Sequence, residues 1–252
     1  MIAPEERLIA ALARLILDPA APPACPIGRH IAVGAASPIP AAASWLVHRL
    51  GHDVRLSLLH RTHANPFTEG TRELFDLAGQ GRIDLFFLGG GQIDGHANLN
   101  LLGTGAWPGT QTRFPGSFGS AFMYLMTPRT LLFREEHSRR VLVPRVDHIS
   151  APGSSPPGVF RRGTAQALVT GKCVFTFDGT GFTLASLHPG ETAQSIADAT
   201  GFAYATAPGL AATPDPTERE LELLRGPVCR DMRATYPAFC DRLWGRDTRE
   251  AA

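Results

Sequence analysis

The sequence predicts an α/β fold built on an open, mostly parallel sheet, with a β-hairpin and helices in its C-terminal part. Three observations carry that expectation. The run Ile83-Asp84-Leu85-Phe86-Phe87-Leu88 is apolar apart from Asp84 and ends abruptly at Gly89-Gly90-Gly91. An apolar run without alternation suits a strand buried on both faces of a parallel sheet. Upstream of it, strand-like and helix-like segments alternate; downstream, Asp178-Gly179-Thr180-Gly181 separates two apolar runs as a hairpin turn does.

Glu5 to Leu17 sets Leu8, Ile9, Leu12, Leu15 and Ile16 on one helical face. Asp18-Pro19 ends that helix, and an Ala/Pro-rich irregular connection runs to Pro26. Ile31 to Val33 is a short strand closed by Gly34; Ala41 to Leu50 follows as an alanine-rich helix with Gly51 as its C′ residue. Val54 to Leu59 forms the second strand, and a short helix from Thr68 or Glu69 to Leu77 returns the chain to the third. This β-α-β-α-β order builds a parallel sheet with right-handed crossovers. Beyond a loop-rich stretch, Gly103 to Gly119, strands are expected at Thr130–Phe133 and Arg140–Val143, the second continuing through Val146 to Ser150. Ala151 to Gly163 reads as a surface loop. Strands follow at Ala167–Thr170, Cys173–Phe177 and Gly181–Leu187. Pro189-Gly190-Glu191-Thr192 introduces a helix through Ala199, and Asp215-Pro216-Thr217 another through Arg225.

At 252 residues, with 44% hydrophobic and 19% charged side chains, the composition is that of a globular protein with a sizeable core, read as one domain over 1–252. A net charge of +1 and the absence of a basic run give no reason to expect nucleic acid. No apolar stretch approaches the roughly 20 residues of a membrane helix. The start, Met1-Ile2-Ala3-Pro4-Glu5-Glu6, lacks the basic segment of a secretory signal. Cys25, Cys173, Cys229 and Cys240 are scattered, with no C-x-x-C pair, which suits reduced thiols in a cytoplasmic protein.

Several chemistries are disfavoured by pattern. Gly116-Ser117-Phe118-Gly119 is no G-x-S-x-G elbow, because the serine directly follows the glycine. The Gly34 loop lacks G-x-G-x-x-G. His60-Arg61-Thr62-His63, with His52 nearby, has no cysteine or carboxylate at a ligand-like distance, so exposed loop histidines are expected rather than a metal site. His137 lies among Arg134, Glu135, Glu136, Arg139 and Arg140 and reads as part of a solvated charged turn. Two glycine loops remain. Gly89 to Gly95 is followed closely by Asn98 and Asn100, and includes Gln92 and Asp94; Gly116 to Ser120 is the second. Loops of this kind expose backbone donors without side-chain bulk, and can stabilise a thioester oxyanion or cradle a phosphate.

These loops resemble a known family. Leu88-Gly89-Gly90-Gly91-Gln92-Ile93-Asp94, then Asn98-Leu99-Asn100, is similar to the "GGAQID…GNxN" stretch of the β subunit of family I CoA-transferases, the glutaconate CoA-transferase type. Thr112-Arg113-Phe114-Pro115-Gly116-Ser117-Phe118-Gly119 resembles its "TRFxGSGG" loop, and His137 to Gly153 its "HxxRRFxxxVDxxTSPG" segment. Pro214-Asp215-Pro216-Thr217 and the helix after it resemble the C-terminal pattern, so the likeness runs from about Ile31 to about Arg225. The resemblance implies the open α/β CoA-transferase fold (NagB/RpiA/CoA-transferase-like), an α-type partner subunit in a heterodimer or heterotetramer, and an acyl-CoA substrate with no permanently bound cofactor. In the transferases a glutamate at the end of the second strand carries CoA as a glutamyl thioester. Here that strand ends Ser57-Leu58-Leu59-His60-Arg61-Thr62, with no acidic residue. The same loss marks the β-type subunit of a two-subunit hydrolase branch that opens the last carbocyclic ring of steroid-derived CoA esters, where the working glutamate lies on the α-type subunit. Ser186-Leu187-His188-Pro189-Gly190-Glu191-Thr192 is similar to that branch too. The implied site has Gly89, Gly90, Gly91, Gln92, Asp94 and Asn98 shaping a pocket shared between subunits. Gly116, Ser117, Gly119 and Ser120 approach the thioester or the CoA arm, and His60 stands near the vacated glutamate position. Hydrolase, transferase and a non-catalytic CoA-ester-binding subunit all stay open at this stage.

Overall fold

The computed structural model describes residues 1–18, 30–61 and 67–246. Helix α1 (Pro4–Leu17) leads to strand β1 (His30–Val33), α2 (Pro38–Arg49), β2 (Arg55–Leu58), α3 (Thr71–Gly79) and β3 (Leu85–Leu88). The alternating order expected from the sequence is present, and β1 pairs parallel with both β2 and β3. Why β3 reads as an unbroken apolar run is visible in its packing. Leu85 and Phe87 enter one core cluster while Phe86 and Leu88 enter the other, so neither face meets water.

Past the glycines the chain makes two small hairpins, β4 (Gln92–Ile93) with β5 (Leu99–Asn100) and β6 (Gly103–Thr104) with β7 (Thr112–Arg113). Helix α4 (Ser120–Met126) and strand β8 (Arg129–Arg134) follow, then β9 (Thr164–Thr170), β10 (Cys173–Phe177) and β11 (Phe182–Leu187). The remainder comprises α5 (Ala193–Ala199), β12 (Ala205–Ala212), α6 (Glu218–Leu223), a π-helical turn at Leu224–Val228, α7 (Cys229–Arg233) and α8 (Pro237–Trp244). Eight strands form one sheet in the order β12-β11-β10-β9-β8-β3-β1-β2. Only β10 runs against the rest, through its antiparallel pairings with β9 and β11, and Asp178–Gly181 is the turn joining β10 to β11. Helices α1, α2, α6 and α7 cover one face; α3, α4, α5 and the β4–β5 hairpin cover the other.

Two expectations need correction. Arg140–Val143 and Val146–Ser150 are not strands of the sheet. Val141, Leu142 and Val143 are buried, yet their backbone is spent on single links to β4: Ile93 N donates to Val141 O (2.7 Å) and Val143 N to Ile93 O (2.9 Å). Ser150 and Ala151 bridge to Leu99 in the same way. The apolar signal was burial against the first glycine loop, not sheet pairing. Helix α3 also starts later than Thr68 or Glu69, because Gly70 takes φ +67° just before it. Unanticipated elements are α4, α7, α8, the small hairpins and β12, whose Pro208 and Gly209 suit its place at the sheet edge. The Pro-rich connection to Pro26, Cys25 and His63 lie outside the described residues.

Candidate functional site

Strand β3 lies between β1 and β8, so Gly89 emerges at the carboxyl edge in the interior of the parallel sheet, where α/β folds place ligands. The glycines are needed for close approach. A Cβ on Gly89 would stand 2.7 Å from Phe133 O, and one on Gly91 only 2.2 Å from the Phe114 ring. The chain then turns back through the β4–β5 hairpin, and here the polar side chains point inward. Asp94, 2% exposed, accepts hydrogen bonds from His96 N (3.0 Å), Asn98 N (3.1 Å) and Asn98 Nδ2 (3.2 Å). Asn100, fully buried, donates through Nδ2 to Gln92 Oε1 and to Gly103 O, each at 2.7 Å; its Oδ1 accepts from Leu102 N (2.9 Å). Gln92 Oε1 also accepts from Asp147 N (3.0 Å), and Asn98 Oδ1 from Gly153 N (3.0 Å). These side chains cross-brace the loop against residues 141–153, which satisfies backbone groups that burial would otherwise orphan.

The second loop is carried to the first by residues 101 and 102. Phe114 N donates to Leu102 O and Gly116 N to Leu101 O, both at 2.9 Å, and the Phe114 ring covers Gly91. Around Gly116 the surface is open: with φ +103°, it has nothing within 4 Å of where a Cβ would sit. Ser120 N donates to Ser117 O (2.7 Å), turning the chain into α4, and Gly119 backs onto Phe75, whose ring atoms would stand 2.0 Å from an added Cβ. Between them Phe118 holds φ +44° and is 83% exposed. The structure therefore joins the two sequence-predicted loops into one surface, with a braced floor at 89–100 and an open lip at 116–120. Such a surface can offer main-chain groups to a bound acyl or phosphate oxygen.

His60 is placed differently. Leu59 N still bonds Val33 O (3.0 Å), then Arg61 N closes a turn onto Leu58 O (3.1 Å), so His60 sits just past the carboxyl end of β2. Its exposed imidazole stacks flat on Tyr236, with centroids 5.0 Å apart and planes 7° from parallel. Tyr236 belongs to the helical layer over α1 and α2, whereas Ile93, Ala97 and Leu99 belong to the opposite layer. Among the described residues, no cluster of three or more histidines, cysteines or carboxylates could hold a metal.

His137 corrects the expectation of a solvated turn. It is 7% exposed, with Nδ1 at 2.8 Å from Thr170 Oγ1 and Nε2 at 3.0 Å from Thr200 Oγ1. Burial, reinforced by the Lys172 charge, pushes its pKa down to about 4. Beside it, burial raises the Cys173 thiol to about 12. His188 is buried too, between Thr213 Oγ1 (2.9 Å) and Thr170 O (2.9 Å), with its pKa lowered by burial. The charged neighbours in sequence concealed a position whose side chain turns back under β9 and β10.

No family model matches the chain. It is 30% identical over 162 residues to the B-type subunit of 3-oxoadipate CoA-transferase from Pseudomonas knackmussii, covering 61% of this chain and 62% of that one. It is 32% identical over 160 residues to the IpdB subunit of the cholesterol ring-cleaving hydrolase of Rhodococcus jostii, again covering 61% and 62%. The match thus spans less than two thirds of either relative. Among solved structures, the decarboxylase AibA/AibB superposes with a TM-score of 0.73 at 26% identity, over 98% of this chain and 100% of that one. Glutaconate CoA-transferase from Acidaminococcus fermentans superposes at 0.73 with 18% identity, over 89% and 94%, and shares the fold.

Proposed function

We propose that the chain, similar over about three fifths of its length to B-type subunits of CoA-transferases, is the β-type subunit of a heteromeric acyl-CoA hydrolase that opens a carbocyclic ring. One observation carries the choice of reaction: the carboxyl end of β2 bears His60 and no carboxylate. Ping-pong CoA transfer needs an acyl-accepting carboxylate there, to form an anhydride and then a thioester. Ring opening does not. Water adds to the ring ketone of a β-keto thioester, the bond from that carbon to the α-carbon breaks, and the thioester enolate takes a proton at the α-carbon. The product keeps its CoA thioester and gains a carboxylate.

In this reading an α-type partner, in a heterodimer or heterotetramer, brings the carboxylate that removes the proton from water. This chain supplies the floor formed by Gly89, Gly90, Gly91, Gln92, Asp94 and Asn98. Main-chain groups of Ser117 and Gly119 face the thioester, flanked by Gly116 and Ser120, whose N–H groups bond Leu101 O and Ser117 O and hold the loop in shape. His60, stacked on Tyr236 past the carboxyl end of β2, is assigned no chemical step. The CoA ester is substrate, and no permanent cofactor is invoked. Steroid catabolism is the setting suggested by the likeness to the IpdB subunit. The cytoplasm suits a CoA ester and the free thiols of Cys173, Cys229 and Cys240.

The test is the product partition of the co-purified complex given a carbocyclic β-keto acyl-CoA: ring-opened CoA ester, CoA moved to an added acid, or carbon dioxide. Ring-opened product is expected, with borohydride and hydroxylamine trapping no glutamyl thioester on this chain. CoA transfer, favoured by the likeness to the B-type subunit of 3-oxoadipate CoA-transferase, would instead leave a trapped adduct on one of the two proteins. Binding with no turnover would identify a non-catalytic CoA-ester-binding subunit.

A further inference from the structure

Phe118 stands out in the open lip. Its φ of +44° lies in the left-handed region, uncommon for a residue with a Cβ and rare for a bulky one. On the TRFxGSGG pattern it falls where the pattern has glycine, and its backbone holds a conformation that glycine adopts without strain. The ring is 83% exposed, so burial does not compensate the strain within this chain. It leans on Phe75 (centroids 5.7 Å apart), which in turn meets Phe122 edge-on at 6.0 Å, and Phe122 is itself 40% exposed. Gly119 provides the room: an added Cβ there would stand 2.0 Å from the Phe75 ring.

We propose that Phe118, backed by Phe75 and Phe122, is a specificity-determining residue that receives the hydrocarbon part of a bulky acyl-CoA beside the Gly116–Ser120 loop. This rests on the reading of that loop as a CoA-ester site. Two features select a ligand over a protein partner as the occupant. The ring springs from within the loop that faces the thioester, so whatever it touches lies within reach of the acyl group. The patch is three rings wide, whereas a stable protein–protein contact buries about 800 Å² on each partner. An apolar shelf next to a few placed polar groups is the usual make-up of a small-molecule site.

Dissociation constants of cyclohexanecarboxyl-CoA and acetyl-CoA, measured on the co-purified complex, test this. The wild type is expected to favour the cyclohexyl ester about tenfold. Phe118→Gly, which keeps the backbone at ease, and Phe118→Ala, which keeps the strain, should both bring the ratio close to one; Phe118→Trp should preserve it. A ratio unchanged in both small variants overturns the proposal. So does loss of partner co-purification in both small variants, which would assign the ring to contact between the two proteins. Wild type binding both esters without preference refutes the shelf alone, whereas wild type binding neither refutes the CoA-ester site and the shelf with it.

Discussion

The two glycine loops have similar sequences of small and polar residues and opposite physical characters. In residues 89–100 the buried polar side chains are committed: Asp94 to four N–H donors, Asn100 to four backbone and side-chain partners, with Gln92 and Asn98 reaching across to residues 141–153. In residues 116–120 the chain is open around Gly116, and an aromatic ring projects outward under strain. The first loop is therefore braced, and the second is exposed. Polar residues near a glycine turn are not by themselves ligands; what decides is whether their hydrogen-bonding capacity is already used.

Substitutions can break this contrast, and the largest effect belongs to the floor. Asp94→Ala strips an acceptor from four donors in a buried site and should cost about 3–5 kcal/mol, read as a fall in thermal midpoint on the order of 10 °C. Asn100→Ala removes donors and acceptor from a fully buried position and should cost about 2–4 kcal/mol in denaturant unfolding.

The buried histidines follow the same logic of committed groups, seen through pH. His137 in the folded chain has a pKa near 4, below its ordinary 6.5, so the unfolded state binds the extra proton. Stability from this residue is full above pH 6.5 and is lost as pH falls towards 4, by roughly 3 kcal/mol. His137→Gln should flatten that part of a stability–pH curve; an unchanged slope would put the burial of His137 in doubt. In the lip the effects are smaller and differ in sign. Gly119→Ala would press on Phe75 and should cost about 1–3 kcal/mol. Phe118→Gly should leave stability level or raise it by up to ~1 kcal/mol, since relief of strain is set against the entropy of glycine.

Much of this was legible in the sequence where burial is two-sided. Ile83–Leu88 could be read as an interior parallel strand because every residue from Leu85 to Leu88 enters one core or the other. The hairpin at Asp178–Gly181 was legible from its turn residues alone. The failures arise where tertiary placement overrides local pattern. Val141–Val143 are apolar because they cover β4, and nothing local separates that from a sheet strand. Strand β12 is mainly exposed and contains Pro208 and Gly209, so it gave no strand signal. His137 is surrounded in sequence by charges that point away from it. For the site, the pairing of the two loops was visible as composition, but the inward commitment of Gln92 and Asn98 was not, because hydrogen-bond partners about fifty residues away leave no mark on spacing.

The most direct measurement of the central claim uses the co-purified complex turning over a carbocyclic β-keto acyl-CoA in ¹⁸O-labelled water, with products read by mass spectrometry. The account predicts one ¹⁸O in the newly formed carboxylate of a ring-opened product that still carries CoA, with the mass of this chain unchanged. Unlabelled product, with CoA found on an added acid and a CoA adduct on this chain, would contradict it.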